Sequence, residues 1–311
     1  MRILIVGAGA IGGYFGGRLL EAGRDVTFLV RPRRAEQLAR VGLSVRSRLG
    51  DIDRPAPTVL ADRLDGTFDV ILLSCKAFDL DDAIASFAPA VGPDTAILPL
   101  LNGMRHLDAL ERRFGSRAVL GGQCAISTTL DPDGRILHLN DVHSLSFGER
   151  DGSRTARTAA IAATFSGANF DGRASEAIMQ EMWEKWVLIC VVAGITCLMR
   201  APIGDIVAAG AADIATSLLD ECAAIARQQG FAPRDTAIRQ IRATVTAAGS
   251  LFAASMLRDV EHGARTEAEH ILGDLLRRGG DQDGYPVLRI AYGHLLSYEA
   301  QRVRTRAEVA P

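Results

Sequence analysis

The first dozen residues constrain this chain more than any other stretch. RILIV, at residues 2–6, is a continuous apolar run, and GAGAIG follows it at 7–12 before the helix-forming IGGYFGGRLLEAG. Strand, glycine turn and helix in that order fit a phosphate-binding turn. Gly7 makes the tight bend, Gly9 lets the backbone approach a pyrophosphate, Gly12 lets helix and strand pack closely, and the helix N-terminus offers its positive end. Gly7, Ala8, Gly9, Ala10, Ile11 and Gly12 are therefore the candidate nucleotide-binding loop, read here above the alternative of a plain glycine-rich turn.

The first half goes on alternating apolar runs with helical stretches: DVTFLV, a helix up to residue 41, FDVILLSCK, DLDDAIASFAPAV and TAILPLLNG. Strands without polar alternation, separated by helices, indicate a parallel sheet covered on both faces. Residues 43–65 turn polar and read as an inserted hairpin or loop, while VLGGQCAISTT and RILHL, joined by DPDG, read as antiparallel strands at the sheet's end. SGANFDGRAS, at 166–175, has the composition of a linker, and helical periodicity dominates beyond it. Helices are expected at 176–198, 214–229, 236–261, 267–278 and 287–302, with the last ten residues frayed. The fold class is α/β: an N-terminal Rossmann-type doubly wound sheet over 1–168, followed by an all-α C-terminal domain over 175–311.

Charge and cysteine content narrow the partners. With 35 basic against 37 acidic residues, the chain has no bias toward polyanions. Five cysteines without a C-x-x-C pair fit neither a disulfide framework nor a zinc site, and a reducing cytoplasm is the expected compartment. The opening apolar segment is a buried strand and not a signal sequence, and it falls short of a bilayer span. The expected partners are a small molecule, no nucleic acid and no membrane, with a homodimer left open.

Three polar residues end strands of the predicted sheet, where ligands of open α/β sheets bind. Arg31 closes the second strand, where an NAD site would place an acidic residue; it favours a 2′-phosphate and hence NADP(H). Arg33 and Arg34 read as an exposed basic turn. Lys76 closes VILLSCK, and Asn102 closes ILPLLNG with the alternative of a simple Asn-Gly turn.

In the second half, MWEKWVLICVVAGITCLM at 182–199 carries Glu184 and Lys185 at the head of an apolar segment. Lys185 either snorkels to water or, desolvated, has its pKa lowered toward the range of a proton donor. TEAE at 266–269 matches a capping box, with Thr266 as N-cap and Glu267 in the first turn. The six histidines, at 106, 138, 143, 262, 270 and 294, form no H-x-x-x-H pair and are assigned neither metal nor general-base roles; no metal site is expected.

With the glycine motif, Arg31, SCKAF, LLNGM, W-x-K at 183–185 and T-E at 266–267 together, the chain resembles the ketopantoate reductase (2-dehydropantoate 2-reductase) family along nearly its whole length. The resemblance implies an NADPH-dependent reduction of a 2-oxo acid, ketopantoate to pantoate in pantothenate biosynthesis, with the active site between a Rossmann and a helical domain. It implies Lys185 as the proton donor, Glu267 near nicotinamide and substrate, Lys76 and Asn102 at the cofactor and reacting centre, Ser255 of SMLRD as a substrate residue, and Ser127 beside NADP. The family carries asparagines four and eight residues after its lysine, where this chain has Ile189 and Ala193, and often one at the position of Leu272. Such losses of hydrogen-bonding groups favour a less hydroxylated substrate. Two other readings stay open: a paralogous reductase of a more apolar 2-oxo acid, and an NADPH-binding regulator without significant catalysis.

Overall fold

A computed structural model describes residues 1–280 and 282–309. The chain divides into two compact units: Met1–Leu101 with His106–Met179, and Asn102–Arg105 with the chain from Gln180 on.

The first unit begins with β1 (Arg2–Val6), α1 (Ala10–Glu21), β2 (Asp25–Leu29) and α2 (Pro32–Val41). The hairpin β3 (Leu43–Arg46) and β4 (Ile52–Arg54) follows, then β5 (Thr58–Val59), β6 (Val70–Leu73), α3 (Leu80–Phe87), β7 (Ala96–Pro99) and α4 (Arg105–Phe114). The main sheet runs β5-β2-β1-β6-β7, all parallel, with the order reversing at β1. Its central strands are buried on both faces, as their unbroken apolar runs require.

Beyond it lie β8 (Gly121–Leu130), β9 (Ile136–Gly148), α5 (Ala156–Phe165) and β10 (Asp171–Ala174). β8 and β9 do pair antiparallel around the DPDG turn, but they belong to a second sheet with β3, β4 and β10 and do not extend the first as edge strands. The 166–175 segment is no linker either. Its β10 pairs with β9, and Phe170 packs edge-on against Phe15 and Phe165 at ring distances of 5.1 and 5.5 Å. A glycine-containing edge strand with exposed side chains lacks the apolar alternation that marks strands in a sequence.

Helix α1 joins the two sheets. A Cβ at Gly16 would stand 2.6 Å from the Phe28 ring of β2, one at Gly17 would stand 3.0 Å from Leu43 of β3, and one at Gly13 would fall on Ile136 of β9. Arg18, with no exposed surface, donates to the Gly50 carbonyl in the β3–β4 turn at 2.6 Å. Glycines that look unfavourable in a helix thus set its distance from strands on both sides.

The second unit is helical: α6 (Ile178–Met199, entering it at Gln180), α7 (Ile203–Ala208), α8 (Ala212–Gln228), α9 (Asp235–Val245), α10 (Ser255–Glu261), a π-helical turn (Glu269–Gly273), α11 (Asp274–Gly279) and α12 (Pro286–Val309). At Gly194 of α6 an added Cβ would lie 2.9 Å from Leu218 of α8 and 3.5 Å from Ala291 of α12, so the three helices pack closely there. By length and composition α6 could cross a membrane, contrary to the expectation that no segment is long enough, but 72% of its apolar window is buried. That is the pattern of a core helix.

The helix expected at 236–261 is two helices. The first ends at Val245 with Thr246 as its C-cap, Gly249 turns the chain at φ +68°, and the Ser250 and Phe252 carbonyls accept from Gly204 and Ile203, the otherwise unpaired first amides of α7. The capping box at 266–269 is also absent. Both the amide and the hydroxyl of Thr266 donate to Glu299 Oε1 of α12, while Glu269 binds Arg277, Arg105 and Tyr292. α12 continues to Val309, so the expected fraying does not begin at residue 302; residues 310–311 lie outside the described residues.

Close approach at α1 makes a direct prediction. Gly16→Val is expected to destabilise the protein by about 1–3 kcal/mol through overpacking, read as a lower urea midpoint. An unchanged midpoint would mean that α1 does not sit tightly on β2.

Candidate functional site

Each unit carries its own group of candidate functional residues. In the first, three functional groups stand at the carboxyl ends of neighbouring strands. The glycine turn follows β1: Gly7 has φ +91° and donates to the Leu29 carbonyl at 2.9 Å, and Gly13 N–H closes the first turn of α1 on the Gly9 carbonyl at 2.8 Å. A Cβ at Gly9 would project into open space, whereas one at Gly12 would fall on the Gly7 carbonyl and Ser74 Oγ. Gly9 is thus open to a ligand while Gly12 serves packing, the division of labour a pyrophosphate turn needs. The residues present fit a dinucleotide.

Arg31 follows β2 and pairs with Asp79, Nη2 to Oδ1, at 2.9 Å. Asp79 ends the short turn Ala77–Asp79 after β6, and its amide donates to the Lys76 carbonyl at 2.9 Å. Lys76 is exposed on the same turn. The sequence reading missed Asp79; the signal was the acidic residue three positions past a strand-ending lysine. Arg34 is not part of an exposed basic turn: half-buried, it donates to the carbonyls of Ala8 and Gly134, both at 3.0 Å, and so braces the glycine loop against the β8–β9 turn. Burial lowers its pKa. Ser127 sits apart from the main sheet at the bulge of β8, where its amide donates to Asn140 Oδ1 at 3.0 Å.

In the second unit the π turn is the common frame. Glu267 precedes it, and its carbonyl accepts from His270 and Ile271 at 3.0 and 2.9 Å. The Ile271 carbonyl accepts the indole N–H of Trp186, the residue after Lys185, at 3.0 Å. His270 packs on the Asn102 loop: a Cβ at Gly103 would stand 2.9 Å from the His270 ring, and Arg105 pairs with Glu269 at 3.5 Å. Glu267, Asn102 and the head of α6 are therefore tied to one five-residue turn. A π turn is a frequent mark of a functional site, but sequence periodicity cannot distinguish it from an α-turn.

Lys185 and Ile189 are half-buried, while Ala193 and Leu272 have no exposed surface. Of the three positions where the family carries asparagine, Ile189 keeps some exposed surface, while the candidate substrate residue Ala193 and Leu272 are buried. Ser255 is exposed at the start of α10.

Comparison with known proteins fits this geometry. Residues 3–152 match the family model described as ketopantoate reductase PanE/ApbA, and residues 177–298 match its C-terminal counterpart. The chain belongs to the ketopantoate reductase family. It is 39% identical to the uncharacterized oxidoreductase YkpB of Bacillus subtilis, covering 97% of this chain and 100% of that one. It is 26% identical to the 2-dehydropantoate 2-reductase of Archaeoglobus fulgidus, covering 89% and 90%. The crystal structure of 2-dehydropantoate 2-reductase from Methylococcus capsulatus superposes with a TM-score of 0.86 at 27% identity, covering 97% and 98%. As a ketopantoate reductase family member the chain is an oxidoreductase with a Rossmann domain, and the helical region beyond it is the family's C-terminal part.

The site of this ketopantoate reductase relative includes a titratable group the sequence reading set aside. Burial lowers the pKa of His270, only partly offset by Glu267 and Asp274, and Arg105 lowers it further; His143 is also lowered, first by burial. A histidine whose folded pKa lies below its unfolded value of about 6.5 contributes its full stability above that pH and loses it as the pH falls through it. Thermal stability is expected to fall between pH 7.5 and 5.5, a window in which the ionised carboxylates of Glu149, Glu184 and Glu299, all lowered, stay charged. His270→Gln is expected to flatten that dependence, as measured by melting temperature across the window; an equal slope in the variant would rule out a buried neutral His270.

Proposed function

We propose that the protein reduces a 2-oxo acid to the 2-hydroxy acid with NADPH, in a reducing cytoplasm where its five cysteines stay thiols. The observation that carries this reading is the pairing of Lys185 and Glu267 through one turn, by way of the Trp186 bond to Ile271. The open backbone at Gly9 supports a nucleotide on the first unit.

In this reading the glycine loop 7–12, Arg31 and Lys76 hold NADPH, which supplies the hydride that the carbonyl carbon accepts. Lys185 Nζ gives a proton to the carbonyl oxygen as negative charge develops there, so that a hydroxyl forms. General acid catalysis of this kind contributes about 10²–10⁴-fold. Glu267 orients the substrate beside that proton donor, Asn102 holds the reacting carbonyl group, and Ser255 binds the substrate's far end. Glu267, Asn102 and α6 share contacts to one turn, which favours a fixed spacing of these groups.

Ketopantoate is the reference substrate. Ile189, half-buried four residues past Lys185, supports a second reading in which a more apolar 2-oxo acid is preferred. A panel of 2-oxo acids assayed by loss of NADPH absorbance tests both. We expect turnover with at least one of them and a loss of about 100-fold or more in kcat for Lys185→Ala. Near-normal turnover in that variant under saturating substrate and NADPH would overturn the mechanism. A strong preference for ketopantoate over branched apolar acids would defeat the second reading, and NADPH binding without turnover of any 2-oxo acid would point to a regulator.

A further inference from the structure

The nucleotide end carries a charge arrangement that Arg31 alone does not explain. β2 and β6 flank β1 in the main sheet, so the Arg31–Asp79 pair spans the carboxyl end of the strand that carries the glycine turn. The two strands are about 10 Å apart at the strand spacing of a sheet, and the two side chains close that gap at 2.9 Å. A ribose or 2′-phosphate placed beside Arg31 therefore meets Asp79 as well. Asp82, on α3, adds to the negative field at the guanidinium. Arg34 gives its Nε and Nη1 to the Ala8 and Gly134 carbonyls and to Gln37, and its remaining Nη2 is buried.

These facts set two ligand chemistries against each other. A 2′-phosphate gains from Arg31 but must displace Asp79 and then lie beside its carboxylate. An unphosphorylated ribose gains an acceptor, because its hydroxyls donate to a carboxylate as they do in sites that take NAD. Arg31 is 70% exposed and Asp79 34%, so water screens the pair on the arginine side and either ligand can rearrange it.

We propose that Asp79 is a specificity-determining residue that holds Arg31 as a counter-ion and accepts from the ribose hydroxyls of an unphosphorylated nucleotide, so that the protein binds NADH as well as NADPH. This rests on the reading of the first unit as a nicotinamide-nucleotide site, and it deepens that reading by assigning the choice of nucleotide to two residues. Arg31 favours NADPH; Asp79 opposes it.

The test is direct titration of full-length protein with NADPH and with NADH, followed by nucleotide fluorescence at one fixed salt concentration and without any 2-oxo acid. Wild-type protein is expected to bind the two with Kd values within about tenfold of each other, less than an unopposed charge-assisted contact would give. Asp79→Asn is expected to tighten NADPH by about five- to tenfold and to weaken NADH, while Arg31→Ala weakens NADPH much more than NADH. An Asp79→Asn ratio equal to wild type, or shifted toward NADH, would overturn the role of Asp79 and leave the reductase reading intact. Failure of every 2-oxo acid to turn over would leave the proposal intact, since only binding is measured. Failure of wild-type protein to bind either nucleotide would overturn both.

Discussion

The structure of the first unit depends on how closely α1 approaches the strands around it. Each glycine of IGGYFGG has a neighbour: Gly12 the Gly7 carbonyl and Ser74, Gly13 Ile136, Gly16 Phe28 and Gly17 Leu43. Four glycines in a helix are costly by propensity, each about 1 kcal/mol against alanine. Here they let one helix serve as the shared inner layer of two sheets. The same approach draws the helix N-terminus over the end of β1, and the glycine loop is fixed at the place where the strand order reverses.

Sheet ends and helix frame then divide the chemistry. On the first unit, the glycine turn, Lys76 and the paired Arg31 and Asp79 side chains stand at or just past strand ends, positions set by the parallel sheet itself. On the second, the groups come from distant points in the chain, residues 102, 185 and 267. The π turn unites them because its wider winding brings carbonyl, ring and carboxylate toward different neighbours: Ile271 to Trp186, His270 to Gly103, and Glu269 to Arg105.

Much of this was legible in the sequence, for physical reasons. Continuous apolar strands announce a parallel sheet, the glycine spacing announces its turn, and the strand-ending Arg31 and Lys76 follow from where such sheets bind ligands. What escaped depended on long-range partners. β10 is polar and short, and only Phe170 and the edge of β9 make it a strand. The break at 246–254 arises because the amides at the start of α7 need the carbonyls of Ser250 and Phe252. Thr266 looked like an N-cap, but Glu299, 33 residues away, takes its hydroxyl and amide. His270 looked inert because its significance lies in the loop it packs against. Asp79 lay hidden because its partner Arg31 is 48 residues earlier.

The two charges at the head of α6 show how one helix turn separates structure from chemistry. Glu184 is buried and accepts from the Arg234 amide and guanidinium at 2.9, 2.8 and 2.5 Å, and from Gln180 at 3.1 Å. Desolvation works against its charge, yet these bonds outweigh it and hold its carboxyl below the ordinary range. Successive helical residues do not face each other, so a carboxylate saturated in this way anchors the helix without serving as the counter-ion of Lys185. Trp183, stacked on Phe231 at 5.4 Å, and Trp186, bonded to Ile271, fix the same turn from its other sides. With three of four consecutive side chains fixed in this way, the backbone at Lys185 is held in place. The restraint comes from Phe231, Arg234 and Ile271, partners far away in the sequence, and the proposed proton transfer asks for a lysine held in this way.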